Sequence, residues 1–438
     1  DRRQPPPQQQ SLQSTKPKIV DPLQVHKERQ NENLTQRYLT DSQHAQCVFD
    51  ERSIPPPVSI DDLLNGVTDI ELNDEEDISL NVTEECIKSA SREHDNHYVF
   101  MTNDLSQDDD CERLLVIDTP ASLHSYHISN ALQHRLSESN ANLSMEYALV
   151  QSVYVYNNAS FSISRTIDPF QTLQDAVSAF KQKNEHFHEK LLLYFTTEMI
   201  RIVAQLHECN LIHLNLSLKS FLVKIGTANE IEKQWSADIA NGWQYFGLFL
   251  HDLDACIKLD DHLCLVDGDD EEVGCLIAEK NLNGSGDEKQ TKIWSMFQKL
   301  VNHQPFLYEM DYFSIFVMVV QLLTQNEDIN IAEVMSNGNG LNGVVEYIER
   351  CRAENELPKL DDVNMWRKIL ALLLMTRDGD DRVYSQMMEK EQLSLLSRQN
   401  YLKQCYRHCG VELMDLENLS PKLQILMSKL DQLMREVM

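Results

Sequence analysis

Hydrophobic positions recur along the chain with two different periods, and each period predicts a different kind of element. The apolar string Leu114–Ile117, ended by Asp118-Thr119-Pro120, has the length and boundary of a short buried strand. Runs rich in Val and Tyr over residues 147–156 and 161–164 predict two more strands, with Asn157-Asn158 as the turn between them. The sequence therefore predicts a small sheet in this part of the chain.

Apolar residues three and four positions apart predict helices before and after the later strands. Ile128, Leu132 and Leu136 form one stripe, which indicates a helix over residues 123–136. After residue 169 the pattern is largely helical, and similar stripes predict further helices. They are expected at residues 172–181, 187–208, 310–323 and 422–437. This order predicts a small lobe of strands and one helix, followed by a larger helical lobe.

The beginning of the chain has a different composition. Eight of the 13 prolines lie in the first 57 residues, beside a Gln-rich tract, and acidic residues are concentrated between Asp61 and Asp110. A segment of this composition cannot bury enough apolar surface to fold alone. We therefore expect a disordered arm that is rich in Pro, Gln and acidic residues, followed by two lobes. The expected boundaries are 1–95 for the arm, 96–168 for the small lobe and 169–438 for the large lobe.

Charge and composition restrict the possible partners. The net charge of −30 disfavours binding to nucleic acid or to an anionic membrane surface, because both require basic patches. No run of 18 apolar residues is present, so the sequence predicts no membrane span. Ten irregularly spaced cysteines favour reduced thiols and a nuclear or cytoplasmic location. The chain begins with Asp and has no signal-peptide pattern, so we expect the C-terminal piece of a longer protein.

Cys405 and Cys409, with His408 between them, are the strongest candidates for metal ligands. A structural zinc site needs four ligands, and no second cysteine pair is suitably spaced. The sequence therefore predicts no metal site there.

Residues 213–220 read His-Leu-Asn-Leu-Ser-Leu-Lys-Ser, which has the spacing of a protein-kinase catalytic loop, His-Arg-Asp-Leu-x-x-x-Asn. In that loop the Asp accepts the proton of the substrate hydroxyl and the Asn holds a magnesium ion. Here the base position is Asn215, whose amide cannot take a proton at neutral pH. The metal position is Ser220, a neutral hydroxyl with little affinity for a hard cation. The loop predicts a kinase scaffold without its reactive groups.

The parts of a kinase that hold the nucleotide are also missing. Residues 67–224 contain no glycine, so a glycine-rich loop over the phosphates is absent. Residues 89–180 contain no lysine, so the small lobe cannot supply the lysine that pairs with the phosphates. If Leu114–Ile117 is the strand that normally carries this lysine, its position is Val116. The glutamate that normally pairs with the lysine is then replaced by Ser125, judging by spacing.

One carboxylate remains in a suitable place. Asp252-Leu253-Asp254 is the best match to the Asp-Phe-Gly motif that supplies a metal ligand, and Asp254 replaces its glycine. Asp252 is a weak candidate for cofactor binding, because a single carboxylate holds magnesium poorly. We expect no cofactor. ATP and magnesium belong only to an alternative hypothesis, an atypical but active Ser/Thr kinase, and a second alternative is a helical scaffold without a kinase fold.

Several strings of residues, in the same order, resemble the Bub-related spindle-checkpoint kinase family, and most closely its BubR-type pseudokinase branch. The most specific are Leu114–Ile117 and Tyr126–Leu136, which are similar to a strand and the following helix of that family. The other matching strings lie at residues 172–176, 211–217 and 310–314. The resemblance extends over residues 96–438.

The resemblance implies an α+β, bilobal protein-kinase-like fold with a small β-rich N-lobe, a larger helical C-lobe and a degenerate active site. In active members the base aspartate, the lysine after it and the metal asparagine are present, and their matching positions here are Asn215, Ser217 and Ser220. The implied role is that of a pseudokinase scaffold in the mitotic spindle assembly checkpoint, which restrains anaphase onset. The implied partners are checkpoint and kinetochore proteins and, through the full-length protein, the anaphase-promoting complex. The implied locations are the kinetochore, the nucleus and the cytoplasm.

Overall fold

A small lobe built on a sheet is followed by a larger, mainly helical lobe in the computed structural model of the chain. The cores of the lobes contain the apolar stripes that the sequence pattern indicated, together with residues outside any predicted element, such as Ile70 and Trp366. The structure describes residues 48–53, 55–58, 63, 69–72, 78–82, 97–104, 111–119, 121–139, 146–165, 171–213, 215–224, 247–253, 256–258, 307–326, 329, 334, 341–374, 405–406, 409, 425–430 and 432–433.

The small lobe contains a seven-stranded sheet. In chain order its strands are β1 (Val48–Glu51), β2 (Asp69–Leu72), β3 (Ile78–Val82), β4 (His97–Asp104), β5 (Cys111–Asp118), β6 (Val150–Tyr156) and β7 (Ser160–Arg165). The spatial order is β1-β6-β7-β5-β4-β3-β2, in which β1 and β6 pair in parallel and the other neighbours are antiparallel. The predicted strands at 114–117, 147–156 and 161–164 are thereby confirmed, with small shifts at their ends.

The expectation that residues 1–95 form a disordered arm is wrong for the three strands β1, β2 and β3. Ile70, Leu72 and Leu80 are buried in the same cluster as the central strands, and Phe49 stacks on Tyr154 with ring centroids 4.6 Å apart. Each of these strands has only four or five residues, too few to fold alone. They are ordered because they extend a sheet that the rest of the lobe already provides, so the small lobe begins before residue 96.

Helix α1 (His124–Ser139) follows β5, as the sequence pattern predicted. Side chains of β5 alternate between the two faces of the sheet. Leu115 and Ile117 pack into the cluster on one face, whereas Leu114 and Val116 point to the face that meets the large lobe. This alternation places Val116 at the junction of the two lobes.

The large lobe consists of helices around a buried central helix, with short strands at the junction of the lobes. Its helices are α2 (Leu173–Gln182), α3 (Glu189–Glu208), α4 (Leu307–Thr324), α5 (Leu341–Glu354) and α6 (Val363–Leu374). Its strands are β8 (Leu211–Ile212), β9 (Phe221–Lys224), β10 (Gly247–Leu250) and β11 (Ile257–Lys258), paired as β8 with β11 and β9 with β10. Helix α3 is buried over residues 191–207 and forms the centre of the lobe.

Most of the predicted helices are present. The predictions at 123–136, 172–181, 187–208 and 310–323 correspond to α1 to α4, and residues 425–430 of the predicted C-terminal helix are helical. The sheet rules out the second alternative, a helical scaffold without a kinase fold. Within the described part of the chain, none of the helices combines the length and the apolar character needed to traverse a bilayer.

Candidate active site

The loop at 213–220 is held in place by a carboxylate from the core of the large lobe. Asp311 lies on α4 and is fully buried, and its Oδ2 accepts hydrogen bonds from the His213 backbone N–H and from His207 Nε2, both at 2.9 Å. Rings of Tyr308 and Tyr312 pack around His207, with centroids 4.6 and 5.5 Å away. A buried carboxylate with two donors is well satisfied, so this contact fixes where the loop begins.

The residues at the degenerate catalytic positions bond to one another. The Ser217 backbone N–H donates to Ser220 Oγ at 3.2 Å, the two hydroxyl oxygens are 3.4 Å apart, and the Ser220 N–H donates to the Ser217 carbonyl at 3.0 Å. Ser220 is 1% exposed. The Asn215 N–H donates to the His213 carbonyl at 2.9 Å. The loop thus closes through its own serines, and Ser220 acts as an internal bond partner where a kinase has a metal ligand.

The loop also contacts the segment that carries Asp252. His213 Nε2 donates to the Asp252 carbonyl at 2.5 Å, and His251 Nε2 donates to the Lys219 carbonyl at 2.7 Å. The His251 N–H donates to the Ser220 carbonyl at 3.2 Å. The structure therefore brings Asn215, Ser217, Ser220 and Asp252 close together. Asp254 lies outside the described residues.

Val116 lies in an apolar cluster that joins the lobes. We call it the cleft cluster, and its members are Leu114, Val116, Ala148, Leu222 and Phe249. Leu222 and Phe249 are cross-strand partners on the β9–β10 hairpin, so their side chains lie on the same face. Strand β9 begins directly after the catalytic loop, and strand β10 ends two residues before Asp252. Val116 is 9% exposed, and Leu222 and Phe249 are 0% and 1% exposed, so the cluster is closely packed.

Helix α1 contains Ser125 and is attached to the large lobe near both of its ends. Ser125 is 9% exposed, and the preceding residue, His124, donates from Nε2 to the Cys256 carbonyl at 2.7 Å. Arg135 donates from Nη1 to the Cys209 carbonyl. Burial raises the pKa of the Cys209 thiol to about 11, so this thiol is uncharged at neutral pH. The helix is therefore anchored through backbone carbonyls of the large lobe.

A buried group of charges next to the site was not found from the sequence. Arg201 on α3 binds Glu198 on the same helix, with Nη2 to Oε2 at 2.7 Å and Nε to Oε1 at 3.1 Å. It also binds Glu146, which lies between α1 and β6. The side chain of Arg201 is 8% exposed, that of Glu198 is 4% exposed and that of Glu146 is 1% exposed. Burial alone would lower the pKa of Arg201, but the two carboxylates outweigh it and raise that pKa above its ordinary value.

Two signals in the sequence could have indicated these buried polar residues. Asp311 is an acidic residue inside the apolar run of α4, and Arg201 and Glu198 stand three apart between the apolar residues of α3. Charged residues in such positions are rarely fully buried without a partner. The identity of the partner, however, depends on a contact between distant parts of the chain. Glu146 and Arg201 are 55 positions apart.

The residues at this site do not suit magnesium ATP. Val116, the predicted position of the lysine that pairs with the phosphates, lies inside the cleft cluster and supplies no ammonium group. Ser220 already bonds to Ser217, and one carboxylate, Asp252, remains of the usual metal ligands. Among the described residues, no group of three or more His, Cys, Asp and Glu side chains could hold a metal ion. This arrangement lacks groups on which phosphotransfer by a protein kinase depends.

Comparisons with known proteins agree with the fold. No protein-family model matches the chain. Among curated proteins, the mitotic checkpoint serine/threonine-protein kinase BUB1 of Arabidopsis thaliana is 25% identical over 138 residues, which cover 32% of this chain and 25% of that protein. The spindle assembly checkpoint serine/threonine-protein kinase BUB1 of Saccharomyces cerevisiae is 22% identical over 273 residues, or 60% of this chain and 23% of that protein. The chain spans about a quarter of the length of these relatives.

A solved structure has the same fold. The crystal structure of the BubR1 kinase domain matches with a TM-score of 0.56 and 14% sequence identity, over 94% of this chain and 98% of that chain. A likeness at this identity concerns the fold. The predicted bilobal, α+β protein-kinase-like architecture is thereby confirmed.

Proposed function

We propose that the chain is a pseudokinase module of a mitotic spindle assembly checkpoint protein, because its sequence is similar to two BUB1 checkpoint kinases and its fold matches that of the BubR1 kinase domain. In this role it acts as a protein-interaction and stabilising scaffold and transfers no phosphate. The protein that contains it acts at kinetochores and restrains anaphase onset. Its partners are checkpoint and kinetochore proteins and, through the full-length protein, the anaphase-promoting complex, and its locations are the kinetochore, nucleus and cytoplasm.

The observation that carries this proposal is the cleft cluster. The side chain at the lysine position is an apolar group packed against Leu222 and Phe249 from the other lobe. A triphosphate needs fixed positive charge and backbone donors where it binds. Val116 supplies neither, and residues 67–224 lack the glycines that would let backbone N–H groups come close.

The catalytic loop supports the same proposal independently. Asn215 has no basic atom at neutral pH, and the hydroxyls of Ser217 and Ser220 are engaged with each other. A general base must be able to accept a proton from the substrate hydroxyl. The loop therefore has a structural role, and the Asp311 contact fixes its first residue against the core of the large lobe.

The net charge favours protein partners. At −30 the chain repels the phosphates of nucleic acid and the anionic surface of membranes, so we propose neither as a partner. Both curated relatives are described as checkpoint kinases, which supports a checkpoint role for the protein that contains this chain. Capture from mitotic extract on the immobilised 438-residue chain should recover checkpoint and kinetochore proteins. Recovery of none of them would contradict the scaffold role.

An atypical, active Ser/Thr kinase is a second candidate function. It is favoured by one observation: His213 holds the backbone of Asp252 at 2.5 Å, so the segment that would carry a metal ligand is still fixed beside the catalytic loop. In this case ATP and magnesium would have to be held by unconventional groups. The two candidates differ in whether nucleotide binds at all.

Nucleotide binding separates the two candidates. We expect millimolar magnesium ATP to leave the thermal unfolding temperature of the 438-residue chain unchanged. A ligand at about 100 times its dissociation constant would add about 2.7 kcal/mol to the free energy of unfolding, which a thermal-shift assay detects easily. Any nucleotide-dependent stabilisation would contradict the proposal. Stabilisation that disappears in Asp252→Ala, together with phosphotransfer by the purified chain, would establish the atypical kinase instead.

A further inference from the structure

The segment that leads from α1 to β6 is attached to the large lobe by polar contacts. The Tyr147 hydroxyl lies 2.8 Å from the Ile202 carbonyl oxygen and 3.1 Å from Gln205 Oε1, and it donates its proton to one of them at a time. The Ala148 N–H donates to the Leu250 carbonyl at 2.9 Å. Glu146 binds Arg201. Three consecutive residues of the small lobe therefore bond to two elements of the large lobe, α3 and β10.

The same charges contact the start of β10. Gly247 has φ +108°, and a Cβ there would lie 3.0 Å from Glu198 Cγ, Glu198 Oε2 and the Tyr194 hydroxyl. Glu198 is therefore in direct contact with the backbone of the hairpin. Since Leu250 at the other end of β10 receives the Ala148 N–H, the strand is held at both of its ends.

In an active kinase, bound ligand and one ion pair help to fix how the lobes meet. There, the nucleotide lies between the lobes and a lysine–glutamate pair fixes the helix of the small lobe. Here Val116 and Ser125 are the predicted positions of that pair, and α1 is anchored by His124 and Arg135. A buried ion pair is a poor contributor to stability but gives specific geometry, because a charge left without its partner is strongly disfavoured.

We propose that Glu146, Tyr147 and Arg201, which we call the lobe clamp, keep the two lobes closed without nucleotide. This proposal deepens the proposed function, since a scaffold must keep one shape whether or not ATP is available. The clamp is built into the fold at the point where nucleotide-dependent closure would otherwise be needed. The arrangement of the lobes then depends on contacts within the chain and needs no bound ligand.

Hydrogen exchange on the full 438-residue chain tests the clamp. The Ala148 amide reports separation of the lobes, because its acceptor lies in the other lobe. We expect Glu146→Gln to speed exchange over residues 146–150 by at least about tenfold, while exchange in α6 stays unchanged. The matched control is Glu198→Gln, which makes the same chemical change to the same Arg201 pair within α3. It should have a much smaller effect at 146–150.

Equal effects of the two Gln variants at residues 146–150 would overturn the clamp. If Glu146→Gln also removes the protection of α6, the domain has unfolded, and Tyr147→Phe becomes the deciding variant. That variant removes one hydroxyl, keeps the charges, and should speed exchange at 146–150 alone; no change there would overturn the clamp. Added magnesium ATP should not alter exchange in the unmodified chain, and protection by ATP would contradict the proposed function rather than the clamp.

Discussion

At the scale of single residues, the replaced catalytic positions have acquired structural roles. Val116 packs in the cleft cluster, and Ser220 bonds to Ser217. Both side chains are packed or hydrogen-bonded where they lie, and neither carries a group that catalysis uses. Restoring one lost residue should therefore disturb the fold and should not restore a function.

Val116→Lys is the sharpest test of this statement. A charged amine in the cleft cluster loses its hydration without gaining a partner, so we expect the free energy of unfolding to fall by about 3 kcal/mol or more. No affinity for magnesium ATP should appear, since Leu222 and Phe249 still occupy the cleft. Urea unfolding and a nucleotide thermal-shift assay measure the two effects.

The control for that experiment is Val116→Met, which lengthens the side chain but keeps it apolar. Overpacking typically costs about 1–3 kcal/mol, so Met should be tolerated better than Lys. Equal stability of the two variants, or a gain of nucleotide affinity in Val116→Lys, would contradict the closely packed cleft.

At the scale of elements, the β9–β10 hairpin is the part that connects the candidate site to the rest of the molecule. It contributes two members of the cleft cluster, contacts Glu198 through Gly247, and leads directly to Asp252. Its conformation therefore determines how the lobes meet. Gly247 is the residue on which that conformation depends most, because its positive φ strains any residue with a Cβ.

Gly247→Ala should lower the free energy of unfolding by more than about 1–2 kcal/mol. The backbone strain accounts for that amount, and crowding against Glu198 and Tyr194 adds to it. Chemical denaturation measures the loss. Gly343→Ala provides the comparison, because Gly343 lies in helix α5 and is not among the residues with positive φ. An equal loss at Gly343 would show that backbone conformation is not the cause at Gly247.

At the scale of the whole molecule, three buried tyrosines make stability depend on alkaline pH. Burial raises the pKa of Tyr147, Tyr194 and Tyr312 well above the ordinary value of 10.0, and nearby acidic groups raise it further. Above about pH 10 the unfolded chain loses these protons while the folded chain keeps them. The unfolded state then binds fewer protons, so the free energy of unfolding falls as pH rises.

Each such tyrosine should contribute a slope of up to about −1.4 kcal/mol per pH unit above its unfolded pKa. In Tyr312→Phe this contribution is absent. We therefore expect the free energy of unfolding to fall less steeply between about pH 10 and pH 11, by up to about 1.4 kcal/mol per pH unit. Urea unfolding at several pH values measures the slope, and the difference between the two proteins near pH 8 gives the baseline. An unchanged slope would mean that the Tyr312 hydroxyl ionises in the folded chain as readily as in the unfolded one.

The predictions that depended on local pattern were the most accurate. Leu114–Ile117 lies within β5, the stripe of Ile128, Leu132 and Leu136 lies on α1, and the long helix before the catalytic loop is α3. The short strands β1 to β3 were missed, because their few apolar residues stand among acidic ones and are ordered only by pairing with other strands.

The sequence by itself determined which chemical groups are available: no glycine in residues 67–224, no lysine in residues 89–180, and Asn215 where a base is needed. These are properties of composition and spacing, which the fold cannot change. Only the tertiary structure decided what fills the cleft and what joins the lobes. Phe249 meets Val116 and Arg201 meets Glu146 through contacts between distant parts of the chain, which local periodicity does not encode.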